Sequence, residues 1–182
     1  MMVDDRWLLW RLKRGSTRAL RRLYGKYEGD LLALATGLLG RADQAEDVLQ
    51  DVFIRFMTSL DTFELRGSLK GYLATCVANR SRDLRRRERC RPTGPLETAD
   101  RVESRQHGPL ARVIADEQRR RLREALAQLP AEQQEAVLLH LQADMTFREI
   151  GRAQDVSPKT AESRYRYGIG RLRSMLNGQV EP

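Results

Sequence analysis

Cysteine and histidine are scarce in this sequence: Cys76, Cys90, His107 and His140 are all it has in 182 residues. Two thiols cannot build a disulfide framework, and no spacing among these four groups offers a metal-ligand set, so no metal and no other cofactor is expected. Long apolar runs are missing as well. The longest largely apolar stretch, residues 31–40, falls far short of the roughly 20 residues that span a bilayer and contains Thr36 and two glycines. The N-terminal Trp7-Leu8-Leu9-Trp10 run follows Asp4, Asp5 and Arg6 and lacks the basic start, long apolar middle and cleavage site of a secretory signal. A cytoplasmic protein with no membrane association is expected. Aromatic residues make up only 6% of the chain, with 6 prolines and 13 glycines, which excludes fibrous and low-complexity architectures.

What the sequence has in excess is arginine. Of 33 basic side chains 29 are arginine, set against 25 acidic ones, for a net charge of +8. That surplus favours a polyanionic partner, although charge by itself does not separate nucleic acid from acidic protein or lipid. Its distribution is more informative: +6 over residues 1–89, −1 over 90–117 and +3 over 118–182. Two basic blocks flank a neutral spacer, in a chain whose length suits one compact domain or two small ones.

Apolar residues recur at helical spacing throughout, and no segment combines strict alternation with β-branched enrichment, so an all-α fold is expected. Residues 90–110 break the pattern with three prolines, two glycines, mixed charge and few apolar residues, and are read as a flexible linker. Two small helical domains follow, 1–89 and 111–182.

In the first, Asp43 and Glu46 have capping-box spacing before a helix reaching about Leu60. Ala45, Val48, Leu49, Val52, Phe53 and Phe56 form its apolar stripe, while Glu46, Asp47, Gln50 and Asp51 form an acidic patch. Stabilisation of the helix start by acids and a docking surface both account for that patch. Ser68 is placed to cap a second long helix with Leu69, Leu73, Cys76, Val77 and Leu84 inward. Beside them Tyr72, Thr75, Asn79, Arg82 and Arg86 share one side, at about 100° per residue. Arginines for phosphates, a ring for an unpaired base and an amide for a base edge suit nucleic acid; a solvated basic face explains the same residues.

In the second domain Pro130 opens a helix with Ala136, Val137, Leu138 and Leu141 inward, and His140 reads as a boundary histidine. Thr146 and Glu149 make a capping box, and Ser157-Pro158 pairs a preferred cap with a preferred first helical residue. Together they predict a helix-turn-helix. Its second helix keeps Ala161, Tyr165, Leu172 and Leu176 inward and directs Lys159, Thr160, Ser163 and Tyr167 outward, with Arg164, Arg166 and Arg171 beside them. That face suits a major groove.

This combination resembles the bacterial RNA polymerase sigma factors of the extracytoplasmic-function group. The run Ala45 to Phe53 is similar to the family segment that docks on the clamp helices of the largest polymerase subunit, which implies a docking role for Glu46, Asp47, Gln50 and Asp51. Ser68 to Leu73 with Ala78-Asn79-Arg80 resembles the family helix that melts and holds the minus-ten element, adding Arg80 to Tyr72, Thr75, Asn79, Arg82 and Arg86. The loop 61–67 corresponds to the segment that captures a flipped base. Leu129-Pro130, Gln133 and residues 146–173 resemble the module that reads the minus-thirty-five element and meets the polymerase flap. The implied partners are core RNA polymerase, promoter DNA and an anti-sigma factor, and the implied activity is not enzymatic. Three departures stand out: Tyr72 where the family usually has tryptophan, Asp155 at a turn position often held by glycine, and Gly168 with Gly170 within the recognition helix, which predict late fraying or bending.

Two other functions fit parts of the pattern. A stand-alone helix-turn-helix regulator would not need the acidic patch. A DNA-processing enzyme would need a nucleophile within an arginine cluster, and Ser16 and Ser59 lack convergent catalytic groups.

Overall fold

The computed structural model describes residues 2–89 and 109–178, with side chains over 5–89 and 117–178. The described residues form eight α-helices and no strand. Four belong to the N-terminal half: α1 (Met2–Lys13), α2 (Thr17–Leu39), α3 (Ala42–Thr58) and α4 (Leu69–Arg89). Four belong to the C-terminal half: α5 (Pro109–Ala127), α6 (Ala131–Ala143), α7 (Phe147–Ala153) and α8 (Pro158–Asn177). The expected linker, 90–110, lies outside the described residues except for its last two, which already belong to α5.

In the N-terminal half, α2 starts where the Ser16 hydroxyl accepts the Ala19 amide at 3.3 Å and stops at Gly40, whose φ of 75° is the left-handed turn that releases the chain toward α3. Leu23, Tyr27, Leu31, Leu34 and Leu38 recur at helical spacing and are buried. The apolar stripe predicted for α3 is buried residue for residue. Its capping box is not formed. The helix starts at Ala42 with Arg41 at the cap, so Asp43 falls inside the first turn, where it accepts from the Arg41 guanidinium at 2.7 Å. There the carboxylate complements the helix dipole instead of capping. For α4 the expected cap holds: Ser68 Oγ accepts the Gly71 amide at 3.3 Å.

The C-terminal half departs from the one-stripe reading at α6. Residues 134–139 are all buried, whereas Leu141, expected inward, is 54% exposed. A helix packed on one side by α8 and on another by α2 and α4 has no single apolar face, and periodicity fails for such a helix. Pro130 stands at its cap instead of its first turn.

The helix-turn-helix closes as predicted. Thr146 and Glu149 form a reciprocal capping box, Ser157 Oγ accepts the Thr160 amide at 3.0 Å, and Asp155 takes the turn at φ 54°. Gly151 lets the turn fold back: a Cβ there would lie 2.8 Å from the Val156 carbonyl oxygen. Helix α8 runs unbroken to Asn177, contrary to the fraying expected of its glycines. Gly168 is buried where a Cβ would meet Val137 Cγ2 at 2.7 Å and the Gln133 carbonyl at 3.2 Å, so its absence brings α8 close to α6. His140 is a boundary residue as expected, with Nδ1 2.8 Å from the Met145 carbonyl and its ring stacked on Phe147.

Candidate functional site

Three surfaces carry the residues singled out from the sequence. On α3, Glu46, Asp47 and Gln50 are exposed side by side. Asp51 is half-buried and accepts from Arg80 at 3.0 and 2.6 Å, so these two residues, assigned to different partners, are joined in one ion pair. Ile54, one turn beyond Gln50 and Asp51, is 54% exposed. Sequence reasoning passed over it; the signal was a β-branched apolar side chain outside the apolar stripe.

The second surface starts at the loop between α3 and α4. Tyr72 packs against Phe63 with ring centroids 4.7 Å apart, and Phe63 meets Phe56 edge-on at 5.2 Å. The Phe63 and Tyr72 rings form one wall of an open cleft of about 430 Å³, whose lining includes Thr62, Glu64, Leu65 and Arg66. Phe63 was another omission, the one aromatic in the loop 61–67. The loop is tied to α1 by Lys13, whose ammonium donates to the Asp61 and Phe63 carbonyls at 3.3 and 2.8 Å. Burial, and secondarily the Cys76 thiol, raises the Tyr72 phenol above its ordinary range.

Along α4 the predicted stripe assembles, but its polar atoms are already engaged. Thr75 Oγ1 donates to the Gly71 carbonyl at 2.8 Å, and Asn79 Oδ1 accepts from Arg82 at 2.6 Å. Arg82 also donates to the Ala153 carbonyl at 2.8 Å and lies 3.1 Å from Glu135. Arg86 stays exposed while paired with Asp83 at 3.0 Å. Arg85 turns inward to Gln134 at 2.8 Å; burial and its neighbour Arg89 lower its pKa.

The third surface is the outer side of α8. Lys159, Thr160, Arg166, Tyr167 and Arg171 are exposed there, Tyr167 by 64%, whereas Ser163 and Arg164 are half-buried. Arg164 donates to Gln154 at 2.9 Å, bracing the helix against the turn. The Thr160 hydroxyl lies 2.8 Å from Ser157 Oγ, so it serves the cap as well as the surface. Lys159, Ser163, Tyr167 and Arg171 recur every four residues and form one ridge.

The family model for Sigma-70 region 2 matches residues 23–91, and that for Sigma-70 region 4 matches residues 119–172. The ECF RNA polymerase sigma factor EcfG of Rhodopseudomonas palustris is 30% identical over 148 residues, which cover 81% of this chain and 77% of that protein. The RNA polymerase sigma factor CarQ of Myxococcus xanthus is 28% identical over 176 residues, 94% of this chain and 96% of that one. In fold, the chain resembles the sigma factor RpoE solved in complex with the anti-sigma factor NepR from Bartonella quintana, with a TM-score of 0.72 at 24% identity over 91% of this chain and 100% of that one. With both regions present, in order and separated by the proline-bearing spacer, this arginine-rich helical chain belongs to the ECF RNA polymerase sigma factors.

Proposed function

We propose that this sigma factor binds core polymerase through α3, holds the melted minus-ten strand with α4 and its preceding loop, and reads the minus-thirty-five element with the outer ridge of α8. Residues 1–89 form the melting and docking unit and 111–182 the minus-thirty-five unit, joined by the segment 90–110. The observation that carries this reading is the open cleft walled by the packed rings of Phe63 and Tyr72 at the foot of an arginine-bearing helix. Opening a duplex costs roughly a few kcal/mol per unstacked base, and stacking on a ring offsets about 1–3 kcal/mol of it. A cleft walled by a neutral tyrosine and a phenylalanine offers that surface, and Thr75, Asn79, Arg82 and Arg86 follow along the helix. Arg80 supports the arrangement by clasping Asp51, which ties the strand-holding helix to the docking helix.

On α3, Glu46, Asp47 and Gln50 provide the polar part of the polymerase contact and Ile54 an apolar anchor among them. On α8, Lys159, Thr160, Ser163 and Tyr167 face base edges, and Arg164, Arg166 and Arg171 reach phosphates. The protein performs no bond chemistry: it places polymerase. Its partners are therefore in the cytoplasm, and an anti-sigma factor is a fitting regulator, since RpoE was solved with the anti-sigma factor NepR and CnrH with the cytosolic domain of CnrY.

Run-off transcription with purified core polymerase on a promoter library tests the function: specific initiation must require this chain. Tyr72→Ala is expected to reduce open-complex formation, read by permanganate reactivity, about tenfold or more while leaving duplex binding within about twofold. Equal loss of both would remove Tyr72 from strand capture.

A further inference from the structure

Helix α1 presents a surface that the proposed promoter contacts leave unused. Its inner face, with Leu8, Leu9 and Leu12, is buried where α1 packs on α2, while Trp7 and Trp10 remain 45% and 52% exposed. They are the only tryptophans in the chain. Trp7, Trp10, Arg11 and Arg14 follow the spacing that places side chains on one helix face. Each ring carries a guanidinium: Arg11 lies 5.0 Å from the Trp7 centroid and Arg14 lies 4.0 Å from that of Trp10. These four side chains and Ser16 line an open hollow of about 380 Å³. Trp7 and Arg11 also border a second, of about 140 Å³, that reaches Arg18 and Arg22 of α2. Among the described residues, neither hollow is lined by a carboxylate. By contrast, Arg120 on α5 is held by Glu117 and Glu124.

This chemistry favours an unpaired nucleic-acid strand. Arginines gathered on indole rings complement a polyanion, and an indole offers any base a face to stack on. An arginine resting on a ring is held by a contact that a base replaces in kind, so it turns to phosphate without breaking an ion pair. The surface also neighbours the strand-holding cleft. Lys13, the last residue of α1, donates to the Asp61 and Phe63 carbonyls, and Phe63 walls that cleft. Trp10 precedes Lys13 by about 4.5 Å along the helix axis, within reach of a strand that continues out of the cleft. A lipid surface fits less well, because the leucines that an interfacial helix would immerse are committed to the core. The family model for region 2 begins at residue 23, so α1 lies outside the segment it matches.

Resting on the strand-holding role given above to the cleft, we propose that α1 carries a second single-strand site. Trp7 and Trp10 stack bases of the melted promoter strand beyond those held at Tyr72, and Arg11 and Arg14 take its phosphates.

With no other tryptophan in the chain, the emission of the full free protein reports on this surface alone. Titration with single-stranded oligonucleotides of about 12 nucleotides is expected to quench that emission, and duplex of the same sequence to leave it unchanged. Arg11→Gln combined with Arg14→Gln is expected to lower the slope of log affinity against log salt by about 1.4, or about 0.7 per phosphate. With holoenzyme, lengthening a minus-ten oligonucleotide by about four nucleotides at one of its ends is expected to raise affinity about fivefold or more. Trp10→Ala is expected to abolish that gain, and Trp10→Phe, which keeps a ring, to retain most of it. Emission that single strands leave unchanged overturns the proposal, as does an extension gain equal in wild type and W10A. A blue shift on phosphatidylglycerol vesicles with no response to single strands assigns the surface to lipid and overturns it too. The emission arm needs no promoter: quenching by single strands with no run-off from any form would support the α1 site and defeat the promoter reading instead.

Discussion

At the scale of single residues, the buried polar groups of the N-terminal half carry a pH signature. Tyr27 is 6% exposed and donates its hydroxyl to Asp5 at 2.6 Å, with Lys26 on the same carboxylate. Burial first, and then Asp5, pushes the phenol from 10.0 up to about 12. The unfolded chain therefore releases this proton at lower pH than the folded one. The stability contribution is whole below pH 10.0 and declines as pH rises from there toward about 12. Urea titrations at about pH 9, 10 and 11 should show that decline in the wild type and a flatter profile for Tyr27→Phe, which has no proton to lose. This pair is not legible in the sequence, because Asp5 and Tyr27 stand 22 residues apart and only the packing of α1 on α2 brings them together. Gly168 taught the opposite lesson, since a residue that weakens an isolated helix was read as a defect when its missing Cβ is what admits Val137. Asp155 was read correctly, because a left-handed turn position is a local property.

At the scale of elements, α3 shows how one helix serves two purposes. Its inner face, with Val48, Val52 and Phe56, belongs to the core, while Asp47, Gln50 and Ile54 lie outside it. Ile54→Asp should thus leave stability within about 0.5 kcal/mol of wild type, as an exposed substitution does. Its expected effect is on core polymerase: a loss of about tenfold in affinity or more, equivalent to about 1.4 kcal/mol, read by a fluorescence-anisotropy titration. Unchanged affinity would leave the acidic residues without their apolar anchor. Caps were the best-read features of the elements. Ser68, Thr146 and Ser157 each accept an amide three residues on, because a cap is decided within one turn. The failures were Asp43, displaced by a helix that begins two residues sooner than its spacing implied, and Leu141, on a helix enclosed from more than one side.

At the scale of the whole molecule, the arrangement of the halves combines an apolar seat, Leu138 of α6 on the bare backbone of Gly37, with peripheral charges. Asp144 is 76% exposed and its pair with Lys70 is open to screening by salt, whereas Leu138 is 4% exposed. Raising salt from about 0.1 M to about 1 M shortens the Debye length from ~10 Å to ~3 Å and should weaken the bridge but not the seat. Small-angle scattering of the wild type is accordingly expected to show a compact chain at about 1 M salt, while expansion there would transfer the main role to the charges. The contact between the halves engages Arg82 with Glu135 and the Ala153 carbonyl, which its place on a predicted DNA-facing stripe did not foretell.

From the sequence alone came the helical class, the order of two basic units around a spacer, the cap residues, the α3 stripe and the outward ridge of α8. All of these arise from neighbours within about one helical turn, where spacing and residue type suffice. Tertiary structure alone decided the burial of both sides of α6, the pairing of Arg80 with Asp51, the aromatic cleft of Phe63 and Tyr72, and the meeting of Gly37 with Leu138. Those contacts join residues far apart in the chain, and their energy depends on shape and on burial, neither of which is written in the periodicity of any one segment.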